Sequence, residues 1–347
     1  MNVLDNIDLI KQIDTEDMYH KIIHMPEHIL EAYFKANIHH FEKNPQTKIN
    51  KVIISGMGGS AIAGDIIYAL YNQNISINIV KDYYLPYCDE NTLFIACSYS
   101  GDTEETVACL KTAIEKKAII WGVTTGGKVK SILDNLYPWL ELKPGFPPRS
   151  AIAWLFFSVL KVLELNGIVE DQTKAVNKVA AALMMKAGAV AKSVPSTQNF
   201  AKSSAENLNG KIPLLYSSNP VLSAVAYRWK CQINENTKYP AYFHTFPEMN
   251  HNEIEAWENK SFNNHFMPVF LRFFNEENNY EKRIRVFKKL LNEQNIDYLE
   301  FFADGDIPLT KVFSLIYLGD MISFYLAILN QTNPTTINFI NYLKQNI

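Results

Sequence analysis

Lys51-Val52-Ile53-Ile54-Ser55-Gly56-Met57-Gly58-Gly59-Ser60 is the stretch that decides the architecture. Its β-branched opening has no polar alternation, which suits a strand buried on both faces of a parallel sheet. Ser55-Gly56 stops the strand, and a helical pattern runs from Ile62 to Tyr71. The glycines of the turn carry no Cβ, so backbone N–H groups can approach an anion or a sugar oxygen. No Gly-Lys-Ser/Thr follows, so the turn is not a Walker A loop. It is a near match to a dinucleotide fingerprint, with Ala61 where the third glycine belongs. Taken alone, it reads equally well as a ligand loop or as a tight strand-to-helix connection.

Outward from this turn the same alternation continues. Ile75 to Val80, Leu93 to Cys97 and Ala118 to Thr124 read as strands, and Thr103 to Lys116 as a helix. The pitch predicts a doubly wound α/β domain. Upstream, residues 1–50 read as polar-faced helix ending in the breakers Asn44-Pro45-Gln46. Downstream, Gly145-Phe146-Pro147-Pro148 precedes an apolar helix, Ala151 to Leu165. Ala- and Lys-rich linking helices, interrupted at Pro195, follow, and then the plan restarts. Lys211 to Tyr216 is a strand, Ser217-Ser218-Asn219-Pro220 a turn and Val221 to Gln232 a helix. Met267 to Phe273 and Tyr298 to Phe302 are further strands, and Pro308 to Leu329 is a long helix. Two diverged copies of one α/β plan are expected. The expected boundaries are 1–50 (N-terminal helical segment), 51–168 (first domain), 169–208 (linking helices) and 209–347 (second domain). Ligands of such sheets bind beyond the carboxyl ends of the strands.

The 347 residues give room for two domains, and 48% hydrophobic with 20% charged residues is a globular balance. A net charge of -3 provides no global field for nucleic acid or an anionic membrane, so an anionic ligand needs a local site. Cys88, Cys97, Cys109 and Cys231 form no C-x-x-C pair, disulfide framework or metal-ligand spacing, which points to a reducing compartment. The acidic start, Met1 to Asp17, lacks signal-peptide features, so a cytoplasmic protein is expected. Ala151–Leu160 is too short to span a membrane, and Val312–Leu329 carries Asp320 at its middle, so both read as core helices.

Three more clusters carry candidate chemistry. Ser98-Tyr99-Ser100-Gly101-Asp102-Thr103 sits between a strand and a helix and offers three hydroxyls at a helix N-terminus. That is a neutral phosphate cradle, or ordinary capping with Glu104 and Glu105 in the first turn. Pro147-Pro148-Arg149-Ser150 places a cation where it opposes the helix dipole, either as a surface arginine or to meet an anion or developing enolate oxygen. Asn234-Glu235-Asn236 and Asn250-His251-Asn252 are polar clusters outside the expected elements. A glutamate can carry a proton between adjacent carbons and a histidine can help open a sugar ring. The bland reading of Glu235 is a polar loop residue. His20, His24, His28, His39 and His40 fall in the N-terminal helical region and are expected to be solvated, while His244 and His265 have no assigned role.

In order and combination, these clusters make the chain resemble the bifunctional phosphoglucose/phosphomannose isomerase family, a branch of the SIS superfamily. The resemblance runs from about residue 50 to the C-terminus and includes Gly56 to Asp65, Ser98 to Thr106, Pro147 to Ala151, Asn234 to Asn236, Asn250 to Glu253 and Tyr342 to Lys344. It implies two SIS-type doubly wound domains, each a mainly parallel sheet flanked by helices. It further implies that Ser98, Ser100 and Thr103 bind a sugar 6-phosphate, with Tyr99 and Gly101 shaping the loop. Gly58, Gly59 and Ser60 would line the sugar site, and Thr336 would contact the sugar near C2–C3. Glu235 would be the base between C1 and C2, and Arg149 would offset the charge of a cis-enediolate. His251, from the partner of a homodimer with shared sites, and Lys344 would assist ring opening.

The implied reaction needs no cofactor and no metal. It interconverts glucose 6-phosphate, and mannose 6-phosphate, with fructose 6-phosphate. One departure is visible: the phosphate loop ordinarily reads Ser-x-Ser-Gly-Asn-Thr, and here Asp102 replaces the asparagine. A carboxylate there would repel a phosphate unless it turns away. Rival readings are a non-catalytic sugar-phosphate sensor, which would not need Glu235 and His251 together, an amino-sugar isomerase of the same superfamily, and a dinucleotide binder.

Overall fold

The computed structural model describes residues 2–42, 48–73 and 75–346; the expected break at Asn44-Pro45-Gln46 lies outside them. Two units emerge: Met25–Ala180, and Met1–His24 together with Ala181–Ile347.

The Met25–Ala180 unit holds a six-stranded sheet. Its strands are β1 (Asn37–His39), β2 (Lys51–Ser55), β3 (Ser76–Val80), β4 (Thr92–Ser98), β5 (Ile119–Thr124) and β6 (Trp139–Glu141). The order is β1-β6-β5-β4-β2-β3, parallel throughout except for β1 against β6. Every residue of β4 is buried, as expected of a strand covered on both faces. From β2 the chain winds outward to β3, and from β4 outward to β5 and β6. The order therefore reverses between β2 and β4, and the crevice beyond their carboxyl ends is the topological switch point of this sheet. The turns after β2 and β4 are the glycine turn and the hydroxyl turn.

The other unit holds β7 (Ile212–Ser217), β8 (Tyr242–Thr245), β9 (Phe266–Arg272) and β10 (Leu299–Phe302), all parallel, in the order β10-β9-β7-β8. Helix Pro308–Leu329 is long and apolar enough to cross a membrane, but 94% of its most apolar window is buried inside the protein. It is a core helix, packed against helices Phe200–Leu208 and Pro220–Gln232 of its own unit. Gly319 admits the Trp229 indole, since a Cβ would lie 2.2 Å from its Nε1. Its buried charge, Asp320, accepts a 2.5 Å bond from Arg228 Nη2, and both side chains are 1% exposed. Breaking such a pair from one side is costly because the other charge stays buried.

The unit boundaries fall at 24/25 and 180/181, inside the expected 1–50 and 169–208 segments. Long-range polar bonds explain the division of the N-terminus. Asp5 takes a 2.9 Å bond from the fully buried Lys202 ammonium, and the Ile23 carbonyl accepts one from Tyr317 Oη. Helix Met25–Phe34 belongs instead with helix Ile152–Leu165, where Tyr33 Oη donates to Glu164. His28 is corrected: it is buried, edge-on to Phe146 and near Trp154, rather than solvated.

Candidate active site

The switch point of the Met25–Ala180 unit gathers most of the candidate residues. Helix Gly58–Tyr71 begins there with no side-chain cap, and Ser60 lies buried in its first turn. Gly56 and Gly59 are required by close approach, not merely tolerated. A Cβ on Gly56 would sit 2.7 Å from the Cys97 carbonyl oxygen, and one on Gly59 would sit 2.7 Å from that of Pro148. The second contact draws the Pro148–Ser150 3-10 turn, and with it Arg149, onto the glycine turn. Arg149 is 3% exposed, so the surface-arginine reading does not hold.

The hydroxyl turn is joined to the same place. Ser60 Oγ accepts the Tyr99 N–H at 3.3 Å. Ser98 Oγ bonds Thr103 Oγ1 at 2.9 Å and accepts the Gly101 N–H at 3.1 Å. Thr103 occupies the N-cap position of helix Glu104–Glu115, yet its side chain makes no capping bond. Simple capping therefore does not account for its hydroxyl. Ser98 is buried, Thr103 half-buried and Ser100 exposed, a gradient from core to mouth. Tyr99 is the strut behind the turn: its hydroxyl donates to the Lys143 carbonyl at 2.7 Å and accepts the Phe146 N–H at 2.9 Å. Burial pushes its phenol up to about 12, so it keeps the proton it donates. Burial likewise pushes the neighbouring Cys97 thiol up to about 12, which removes it as a nucleophile near neutral pH.

Asp102 turns away from the cradle. Its side chain is exposed, and Oδ1 accepts the Lys128 N–H at 3.0 Å, capping the short helix Gly127–Leu133. An asparagine Oδ1 could accept the same bond, so the departure from the usual loop sequence keeps the contact. Beneath it, Val129 N–H donates to the Gly101 carbonyl at 2.9 Å. Helix Gly127–Leu133, and the Thr124–Gly127 turn before it through the Thr125 N–H and hydroxyl on the Tyr99 carbonyl, thus support the hydroxyl turn, a role the sequence did not reveal.

Glu235, Thr336, Lys344 and His251 belong to the other unit. Helix Pro220–Gln232 leaves the carboxyl edge of its sheet and runs back along it, so Glu235 lies near the start of β8, at the amino edge. Thirteen helical residues put it roughly 20 Å from the Ser217–Asn219 turn. The candidate turns of the first sheet thus lie at its carboxyl ends, whereas Glu235 does not lie at the carboxyl ends of the second sheet. Nor is Glu235 in a loop: it sits in a π-helical turn, Ile233–Thr237. Such turns are uncommon and recur at functional sites. Glu235 is half-buried. Lys238 Nζ bridges the Glu235 and Asn333 carbonyls at 2.8 and 3.0 Å, tying the base candidate's turn to the segment that carries Thr336. His251 is exposed at the end of the Glu248–His251 3-10 turn, and Lys344 is exposed on helix Asn338–Asn346. Among the described residues no cluster of three or more His, Cys, Asp or Glu is arranged to hold a metal ion.

Residues 197–347 match the bacterial phospho-glucose isomerase C-terminal SIS domain. The sequence is 36% identical to the bifunctional phosphoglucose/phosphomannose isomerase of Caldicellulosiruptor bescii over 95% of this chain and 98% of that one. The chain belongs to the bifunctional phosphoglucose/phosphomannose isomerase family. The D-glucosamine-6-phosphate 4-epimerase of Sulfolobus acidocaldarius is a further relative, 33% identical over 64% of this chain and 68% of its own length. The solved glucose-6-phosphate isomerase like protein of Thermus thermophilus superposes over 100% of both chains with a TM-score of 0.64 and 17% identity. That likeness concerns the fold, the two SIS-type domains expected from the motifs. The chain presents its hydroxyl turn, glycine turn and Arg149 together at one switch point.

Proposed function

We propose that this chain interconverts glucose 6-phosphate, and mannose 6-phosphate, with fructose 6-phosphate. The observation that carries the reading is the Ser98–Thr103 turn, whose Thr103 hydroxyl does no capping at an uncapped helix N-terminus, with Ser60 and Arg149 drawn to it. Hydroxyls, free helix-end N–H groups and one buried guanidinium suit a phosphorylated sugar that develops negative charge as it reacts.

In this reading Ser98, Ser100 and Thr103 anchor the phosphate, and that binding energy aligns C1 and C2. Gly58, Gly59 and Ser60 line the sugar, with Thr336 near C2–C3. His251, from the partner of a dimer, and Lys344 assist ring opening. Glu235 takes the C2 proton of the aldose, a cis-enediolate forms against Arg149, and Glu235 returns the proton to C1. Each step moves a proton between the sugar and a side chain, so no cofactor is invoked. A sensor would need the cradle alone, whereas this chain also carries Glu235 on a constrained turn.

Purified protein given fructose 6-phosphate is expected to form both glucose 6-phosphate and mannose 6-phosphate, read by separate coupled assays. Glucose product alone would reject dual specificity. Phosphate-dependent binding without turnover would favour the sensor, and C4 inversion of glucosamine 6-phosphate in a parallel arm would move the chain toward the epimerase.

Asp102 supplies a finer test. Asp102→Asn keeps the acceptor for Lys128 N–H, so KM for fructose 6-phosphate should stay within about twofold; Asp102→Ala, losing one hydrogen bond, should raise it about fivefold. Equal KM values for the alanine variant and the wild type would show that the tie does not support phosphate binding.

A further inference from the structure

We propose that Ser323 is a positioning residue for Glu235, acting through Asn236; the inference rests on Glu235 being the proton carrier. A π turn inserts an extra residue into a helix and is not self-supporting, so something must hold it. Besides the Lys238 bond to the Glu235 carbonyl, three of the turn's own side chains do so. Thr237 Oγ1 donates to the Ile233 carbonyl at 2.7 Å, across the turn itself. Asn234 Nδ2 donates to the Tyr239 carbonyl at 2.7 Å, and Asn236 Nδ2 donates to Ser323 Oγ at 2.9 Å. The two asparagines beside Glu235 are therefore tethers on either side of it.

The Ser323 tether has a defined polarity. Its hydroxyl proton goes to the Asp320 carbonyl at 2.8 Å, so its oxygen can only accept from Asn236. That fixes the Asn236 amide with its nitrogen toward Ser323. One turn earlier on the same core helix, Asp320 grips Arg228. Helix Pro308–Leu329 thus holds the Glu235 segment at two points, Arg228 before the π turn and Asn236 within it. Asn236 and Ser323 are both fully buried, so neither reaches a substrate; any effect on the reaction must pass through the backbone that carries Glu235.

Removing the Ser323 hydroxyl leaves the Asn236 amide with a lost acceptor in the core and frees the turn to relax toward α geometry. Glu235 would then project in a different direction. A displacement of that kind costs far more in turnover than in binding.

The test compares Ser323→Ala, the double variant Asn236→Leu with Ser323→Ala, and Glu235→Gln, each by Tm, kcat, KM and the fraction of C2 hydrogen carried to C1 instead of lost to solvent. Ser323→Ala should lower kcat at least about tenfold with KM within about twofold, and should reduce the transferred fraction. The double variant removes both polar partners together, so its Tm should return toward wild type. Its kcat should not. Wild-type kcat in Ser323→Ala, or kcat that recovers with Tm in the double variant, would overturn the positioning role. Glu235→Gln separates the two ideas: if it retains proton exchange at C2, Glu235 is not the proton carrier and the functional reading fails on its own account.

Discussion

Glu235→Gln should turn over fructose 6-phosphate at least about a hundredfold more slowly than the wild type, with KM within about twofold. The amide matches the carboxylate in size but cannot accept and return a proton. The backbone around it stays tethered in the variant. Lys238 holds the Glu235 carbonyl, and Asn234 and Asn236 hold the flanking residues through bonds that do not involve the changed atoms. The side chain is half-buried, so water can solvate the amide that replaces the carboxylate. Coupled assays in both directions, with solvent-hydrogen incorporation at C1 and C2, read the effect. A variant that still exchanges hydrogen at the wild-type rate would remove Glu235 from the mechanism.

Gly101→Ala is the second large effect, and it acts on the turn proposed to hold the phosphate end of the sugar. Gly101 sits at φ +78, where an L side chain is strained. A Cβ there would lie 1.8 Å from the Gly126 carbonyl oxygen and 2.8 Å from Thr124 Oγ1. Backbone atoms cannot rotate aside, so the hydroxyl turn must lift off the Thr124–Gly127 turn. That movement would break the Gly101 N–H to Ser98 Oγ bond and the Val129 N–H to Gly101 carbonyl bond. Strain and overpacking together should lower stability by about 3 kcal/mol. KM for fructose 6-phosphate should rise much more than kcat falls, and inorganic phosphate should lose its competitive inhibition. Denaturant titration and inhibition kinetics read the two consequences. Undiminished phosphate inhibition would show that this turn is not the anion cradle.

The Met25–Ala180 unit was largely legible in the sequence because its signals are local. A β-branched run, a glycine turn and a helical period lie side by side at Lys51–Tyr71, and the hydroxyl turn repeats the arrangement at Leu93–Lys116. What was missed depends on distance or on length. β1 and β6 have three residues each, too few for a period to register. The division of the N-terminus turns on the Asp5–Lys202 contact, between residues 197 apart in sequence. His28 reads as one more polar residue of a helix until Phe146 and Trp154 close over it.

The candidate site divides in the same way. Its residue types were visible, but their setting was not. Asn234-Glu235-Asn236 reads as a polar loop, since nothing local distinguishes a π turn held by buried amides from an exposed one. The carboxyl-end rule does not locate Glu235, because it describes where a sheet's own ligand lies, not where the segment after a returning helix ends up. Asp102 looked unfavourable in the phosphate loop until Lys128 supplied its partner.

One crystal structure would settle whether the hydroxyl turn and Glu235 serve a single molecule. The ligand should be arabinonate 5-phosphate, a stable acid that imitates the enediolate. The expected density has the phosphate among Ser98, Ser100 and Thr103, and the acid end within hydrogen-bond reach of the Glu235 carboxylate and Arg149. A phosphate bound elsewhere, or a Glu235 carboxylate farther from the acid end than one bridging water can span, would contradict it.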